Sequence, residues 1–153
     1  VLPFTKIENM TLRAAAPEDV SLIKKLVGQL GYTGLTDEQI VEKIRGYSGG
    51  RYALLVGEHE GTGIGFIALH WFDILHSPGL LGRITAFCID EAHRSKGFGA
   101  QMLEEAEKFL VSQGCTKLEV TSNERRTESH QFYLKKGYLV DSRRFVKYPP
   151  ASV

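Results

Sequence analysis

Residues 94–100, Arg94-Ser95-Lys96-Gly97-Phe98-Gly99-Ala100, put two cations and two glycines where an apolar, strand-like run ending at Asp90 gives way to a helix-like pattern. The first N–H groups of a helix have no intrahelical partner, and the helix dipole adds positive potential there. A glycine-bearing turn at that point lets the backbone approach an anion closely, and Arg94 and Lys96 add formal charge, so the chemistry on offer is recognition of a phosphate or pyrophosphate. A mononucleotide loop would need a Gly-Lys-Ser/Thr ending, which is absent. The dinucleotide fingerprint would need a third glycine where Met102 stands. "GTGIG" (61–65) also alternates glycine, yet it joins two strands and reads as a hairpin turn. The local pattern leaves two readings open for Gly97 and Gly99: an anion cradle, or tight turning and close helix packing.

The elements that must position this loop follow from periodicity. "TLRA" (11–14) is a short strand, followed by a helix with Pro17, Glu18 and Asp19 in its first turn, Val20, Ile23, Val27 and Leu30 on one face, and Gly31 at its end. Thr36 and Gln39 have capping-box spacing before a second helix with Ile40, Val41 and Ile44. Residues 51–58 and 64–75 form a hairpin, and 83–90 is a further strand. Met102, Leu103, Ala106, Phe109 and Leu110 recur at helical spacing up to Gly114. A strand (116–123), a short helix (127–137) and one or two last strands within 138–148 complete a mixed α/β (α+β) order with a largely antiparallel first half.

Composition narrows the class. A chain of 153 residues, 42% hydrophobic, suits one domain over 1–153 with a sizeable core. Residues 1–10 read as a leader or an appended remnant ahead of the first clear strand. A net charge of +1 gives no support for nucleic-acid binding. Apolar runs stay too short to span a membrane. Cys88 and Cys115 match neither a disulfide framework nor a zinc site, and a reducing cytoplasm is the plain reading.

Two of these pieces together resemble the GNAT superfamily of acyl-CoA-dependent N-acetyltransferases. Its loop motif is Arg/Gln-x-x-Gly-x-Gly/Ala between a strand and a long helix, which "RSKGFG" matches. Its second feature is an Asn at a strand end followed by a helix with Phe/Leu-Tyr-x-x-x-Gly-Phe/Tyr, which "SNERRTESHQFYLKKGY" matches. The likeness runs from about residue 11 to about residue 148. Within the superfamily, "GFIALHWFDILHS" and the stretch from Leu118 to Tyr148 look like the aminoalkylphosphonate and related small-amine N-acetyltransferases.

The resemblance implies a mostly antiparallel sheet of about six to seven strands, splayed between the fourth and fifth and flanked by about four helices. It implies acetyl-CoA as co-substrate, with its pantetheine arm along the backbone of Phe87, Cys88 and Ile89. Arg94, Ser95, Lys96, Gly97, Phe98, Gly99 and Ala100 would then wrap the pyrophosphate, with Asn123, Phe132 and Tyr133 beside the cofactor. Tyr133 aligns with the family's general acid, which stabilises or protonates the departing thiolate. Without the family match, Tyr133 reads as an aromatic on the inner face of a short helix. A homodimer through late strands is compatible with the family.

One departure concerns the base. Many relatives carry a Glu on the strand before the loop, where this chain has Arg83, Thr85 and Ala86. His70, Asp73, His76, Glu119 and His130 are the candidates that remain, alongside a water chain. His70 and Asp73 fall on opposite strand faces, and His70 and His76 would lie about 20 Å apart if extended, which argues against a shared metal. Cys88 has no activating neighbour in sequence, so direct transfer to the amine in a ternary complex is expected rather than an acyl-enzyme. Arg83, Arg125, Arg126, Arg143 and Arg144 are candidates to receive an anionic group on a small amine. The rival readings are a peptide or protein N-acetyltransferase, a non-catalytic acyl-CoA sensor and a purely structural domain.

Overall fold

The apolar runs of the first half become antiparallel strands, because each hairpin turn returns the chain beside the strand it has just left. A computed structural model describes residues 5–7, 10–122 and 126–151. In chain order the elements are β1 (Thr5–Ile7), β2 (Met10–Ala14), a 3-10 turn (Pro17–Asp19), α1 (Val20–Gln29), α2 (Asp37–Gly46), β3 (Tyr52–His59), β4 (Thr62–Asp73) and β5 (Leu80–Ile89). A second 3-10 turn (Glu91–His93), α3 (Phe98–Ser112), β6 (Cys115–Val120) and α4 (Thr127–Lys135) follow. The chain divides into two units, Val1–Thr121, which holds the sheet and α1 to α3, and Ser122–Val153, which holds α4.

The strands lie in the sheet in sequence order. Neighbours from β1 to β5 are antiparallel, and β5 and β6 are parallel, as the α3 crossover between them requires. The β3–β4 turn puts Glu60 at φ +51° and Gly61 at φ +77°, the paired left-handed geometry of a two-residue hairpin. Thr36 caps α2 as its spacing predicts: the Gln39 N–H donates to Thr36 Oγ1 (3.1 Å) and the Thr36 N–H to Gln39 Oε1 (2.9 Å).

Each face of the sheet carries helices. Ile23 and Leu26 of α1 and Ile40 and Ile44 of α2 pack on Leu54, Val56, Phe66, Ala68 and Cys88. On α3, Met102, Leu103, Ala106 and Leu110 are fully buried, and Phe109 meets the Trp71 ring edge-on at 5.3 Å. Burying a side chain of the Leu or Phe class contributes about 1.5–3 kcal/mol, so these two layers are the main source of the sheet's stability.

Two expectations change. Residues 138–151 form neither strand nor helix, although "YLVDS" and "RRFVKY" read as strands. Apolar alternation sets a strand's faces, but a ladder also needs a neighbour, and no strand of the described residues pairs with this segment. Its Leu139 and Phe145 are 87% and 91% exposed. The sheet therefore has five strands of five residues or more, plus the three-residue β1. That short strand pairs with β2 from within the stretch read as a leader.

Candidate active site

The register between β5 and β6 runs from Leu80↔Cys115 to Ile84↔Val120 and stops there, while β5 continues to Ile89. Counted from β2, these are the fourth and fifth strands, and β6 itself ends at Val120, so the last five residues of β5 have no partner on that side among the described strands. Ala86, Phe87, Cys88 and Ile89 remain in register with Ala68, Ile67, Phe66 and Gly65 of β4. Gly65 is required there, since a Cβ would lie 2.8 Å from the Cys88 carbonyl oxygen and 2.7 Å from Ile89 Cδ1.

Asp90 closes β5, and its burial is the feature that sequence reading passed over. It is only 4% exposed. Its carboxylate accepts from Lys25 Nζ (2.9 Å), from Gln29 Nε2 (3.0 Å) and from the Ala92 N–H (3.3 Å). Its own N–H donates to the Ile64 carbonyl at 2.7 Å, and Gln29 Oε1 accepts from the Glu91 N–H at 3.0 Å. The bond from Gln29, then that from Lys25, hold the carboxyl down at about 2 against the opposing effect of burial. One carboxylate thus ties α1 to the start of the loop. The i, i+4 spacing of Lys25 and Gln29 was the available signal, because it puts both on one helix face.

Beyond Asp90 the backbone turns twice through the left-handed region, at Ser95 (φ +62°) and at Gly97 (φ +85°, ψ 0°), and Gly97 caps α3. The first intrahelical bond of α3 runs from the Gln101 N–H to the Gly97 carbonyl at 3.2 Å. The Phe98, Gly99 and Ala100 N–H groups lie ahead of it, as in a helix end that receives an anion. Ser95, Lys96 and Gly97 are exposed, whereas Phe98 is buried with its ring 4.8 Å from that of His59. Arg94 bends back onto β5: its Nε donates to the Ile89 carbonyl (3.0 Å) and an Nη lies 4.0 Å from Cys88 Sγ. The structure thus brings Cys88, Ile89 and Arg94 together and seats Phe98 in the core as an anchor. Gly99 and Ala100 occupy the first turn of α3.

In the second unit, Tyr133 on α4 lies 5.3 Å from the Phe132 ring and 5.6 Å from that of Tyr138. Burial pushes its phenol up to about 12, and the nearby Arg126 opposes this. Such a phenol stays protonated at neutral pH and serves better as a hydrogen-bond donor to a thiolate than as a freely ionising acid. Asn123 and Arg125 lie outside the described residues. Among the anion-receiving candidates, Arg83 is already paired with Glu119, while Arg143 and Arg144 are exposed. No group of three or more metal-ligating side chains occurs among the described residues, and no helix there is long and apolar enough to cross a membrane.

A strand that runs on past its parallel neighbour, a left-handed glycine and a helix N-terminus follow one another in the order expected of an acyl-CoA-dependent N-acyltransferase. Residues 22–138 match the acetyltransferase (GNAT) family, and the chain belongs to that family. It is an N-acetyltransferase whose co-substrate is acetyl-CoA. It is 29% identical over 141 residues to the aminoalkylphosphonate N-acetyltransferase of Salmonella typhimurium strain LT2, a match covering 89% of each chain. Glucosamine-6-phosphate N-acetyltransferase from Arabidopsis thaliana superposes with a TM-score of 0.77 at 26% identity, covering 92% of this chain and 99% of that one. An aminoglycoside N-acetyltransferase solved in complex with CoA superposes with a TM-score of 0.79 at 16% identity, covering 98% and 99%, a likeness of fold alone.

Proposed function

We propose that this enzyme moves the acetyl group of acetyl-CoA to the primary amine of a small molecule, by direct attack within a ternary complex. The observation that carries the reading is the junction of β5 and α3, where Gly97 adopts a left-handed turn and α3 starts with the Phe98, Gly99 and Ala100 N–H groups. In this reading those groups, with Ser95, Lys96 and Gly97, receive the pyrophosphate. The pantetheine arm follows Phe87–Ile89, and Asn123, Phe132 and Tyr133 line the cofactor, with Tyr133 donating to the thiolate. Arg94, bonded to the Ile89 carbonyl, shapes the passage between arm and loop. Cys88 is buried, as an inert thiol would be, which supports direct transfer over an acyl-enzyme.

The small-amine assignment draws on the likeness to the aminoalkylphosphonate enzyme. One transferase domain working in the cytoplasm completes the reading. A homodimer is proposed as well, supported by the exposed Leu139, Val140 and Phe145. Light scattering that gives a monomer mass would remove the dimer.

The first test is acetyl-CoA binding by calorimetry, followed by CoA-thiol release with aminoalkylphosphonates, amino acids, polyamines and short peptides. Binding with release from the small amines is expected. Release from peptides alone would reassign the acceptor, and binding with no release would make the protein a CoA sensor. Gly99→Asp adds bulk and negative charge at the phosphate, and unchanged acetyl-CoA affinity in that variant would overturn the loop assignment.

A further inference from the structure

The amine must lose a proton before it can attack, and no carboxylate stands on β5 before Asp90. Four side chains form one row across the sheet instead. Tyr52 on β3 pairs with His70 on β4, His70 with Arg83 on β5, and Arg83 with Glu119 on β6. Residues paired in register project from the same face. The row lies at Arg83, one residue before the last β5–β6 pair, Ile84↔Val120.

Next to the row the register between β4 and β5 shifts. Ala68 pairs with Ala86 and Leu69 with Ile84, so Thr85 is an extra residue. Its hydroxyl donates to the Ala68 carbonyl (3.3 Å) and shares a hydrogen bond with the Tyr47 hydroxyl (3.3 Å). A bulge of this kind re-aims a strand and is common beside active sites.

We propose that the His70 imidazole is the proton acceptor for the incoming amine, held in place by the Tyr52 ring beside the point where the β5–β6 pairing ends. This rests on the acetyltransferase reading above: an arm that follows β5 back from the α3 loop meets β6 at Ile84, and its reactive end stops there. The Tyr52 and His70 rings are stacked, with centroids 4.2 Å apart and planes 1° apart. Phe72 flanks the imidazole at 4.8 Å, and Tyr47 backs Tyr52 edge-on at 5.4 Å. Among the described residues the ring nitrogens of His70 have no hydrogen-bond partner, which leaves a lone pair for the proton.

The other candidates are less suited. Glu119 is engaged by Arg83, Asp73 is exposed beside Arg51 (3.5 Å), and His76 is exposed in the turn after β4.

Among the described residues, the charged and titratable groups on this face by register are Tyr52 from β3, Arg83 from β5 and Lys117 and Glu119 from β6, with Tyr47 after α2. Partial burial and then the Arg83 charge push the imidazole below its ordinary value, so it is neutral at pH 7 and able to accept. Arg83, its guanidinium 5.1 Å over the Phe72 ring, is a positioning residue.

The step balances as follows. The ammonium passes one proton to His70, and the freed lone pair forms the C–N bond with the thioester carbonyl carbon. The C–S bond then breaks, and the thiolate takes a second proton from the nitrogen. One proton per turnover leaves to solvent from His70, giving amide and free thiol.

The test compares the parent, His70→Gln and the double variant Arg83→Gln/Glu119→Gln by CoA-thiol release, with aminomethylphosphonate or whichever amine of the panel turns over fastest. The range is about pH 5 to 9, with acetyl-CoA binding measured on the same samples. In His70→Gln, binding should match the parent, kcat/KM should fall about 100-fold, and the acidic limb of the pH profile should vanish. The double variant keeps the ring and removes the repelling charge but not the burial, so its acidic limb should move to higher pH whether or not His70→Gln folds. A parent-like rate and limb in His70→Gln, or an unmoved limb in the double variant, overturns His70 alone. A parent that binds acetyl-CoA but releases no thiol with any amine overturns the transferase reading and this assignment with it.

Discussion

Gly97→Ala should destabilise the first unit by about 0.8 kcal/mol, although a Cβ there meets no atom within 4 Å. The cause is purely conformational. Gly97 sits at φ +85°, where an L-residue carries about 1–2 kcal/mol of strain. Against this, alanine narrows the unfolded ensemble and offsets about 0.4–1 kcal/mol. Gly28 supplies the control. It lies within α1, in the same unit, and its Cβ would also meet nothing within 4 Å, but its backbone is helical. Gly28→Ala should therefore stabilise by about 0.8–1 kcal/mol. Two identical additions of a methyl group into open space should separate by about 2 kcal/mol, or about 4–8 °C in Tm for a domain of this size. Urea unfolding at pH 7, with Gly97→Asn as a third variant, measures this. Asn accepts left-handed backbone more readily and should fall between parent and Gly97→Ala. Acetyl-CoA affinity should drop only for the Gly97 variants. A Gly97→Ala protein as stable as the parent, or a Gly28→Ala protein equally destabilised, would refute the argument that backbone angle rather than space dictates glycine here.

Asp90→Asn tests the anchor by pH. A carboxyl held at about 2 instead of 3.8 stabilises the fold above pH 4, and the effect is lost as pH falls through about 2. The shift corresponds to about 2.4 kcal/mol, reduced to about 1–2 because Lys25 is 58% exposed. Parent and variant should thus differ by that amount at pH 7 and converge toward pH 2, whereas a constant offset in acid denaturation would show that ionisation of Asp90 is not the cause. Tyr133→Phe should reduce kcat about 10- to 100-fold with acetyl-CoA affinity within about twofold of the parent, and unchanged turnover would remove the phenol from the reaction.

What was legible in the sequence is what local rules determine. The Thr36–Gln39 capping box, the hairpin after β3 and the strand–glycine–helix junction at 94–100 each depend on a few adjacent residues, and each forms. The strand reading of 138–148 failed for the complementary reason: apolar alternation is local, but the partner of a ladder is not. The Asp90 anchor and the Tyr52–His70–Arg83–Glu119 row were illegible in the same way. Strand register brings the row together and the packing of α1 against the sheet brings Lys25 and Gln29 to Asp90, and neither is local in sequence.

This difference separates two kinds of specificity in one fold. In the proposed reading the loop before α3 acts through backbone N–H groups and dihedral angles, so its side chains are free to vary where the angle is kept. Gly97 is tied to its φ, whereas Lys96 is an exposed side chain that adds charge only. The proposed row where the β5–β6 pairing ends depends on side chains set by cross-strand pairing. There Arg83 stands on a strand with no carboxylate before Asp90, and it is held by Glu119 from the next strand. A cation on β5 cannot accept a proton, so that task has to move to a neighbour in register. The neighbour across the β4–β5 ladder is His70, whose imidazole is pushed below its ordinary value by burial first and by the Arg83 charge second. Exchange of Arg83 for Glu should therefore alter the acidic limb of the pH profile rather than acetyl-CoA binding, because it changes which group on this face holds the proton.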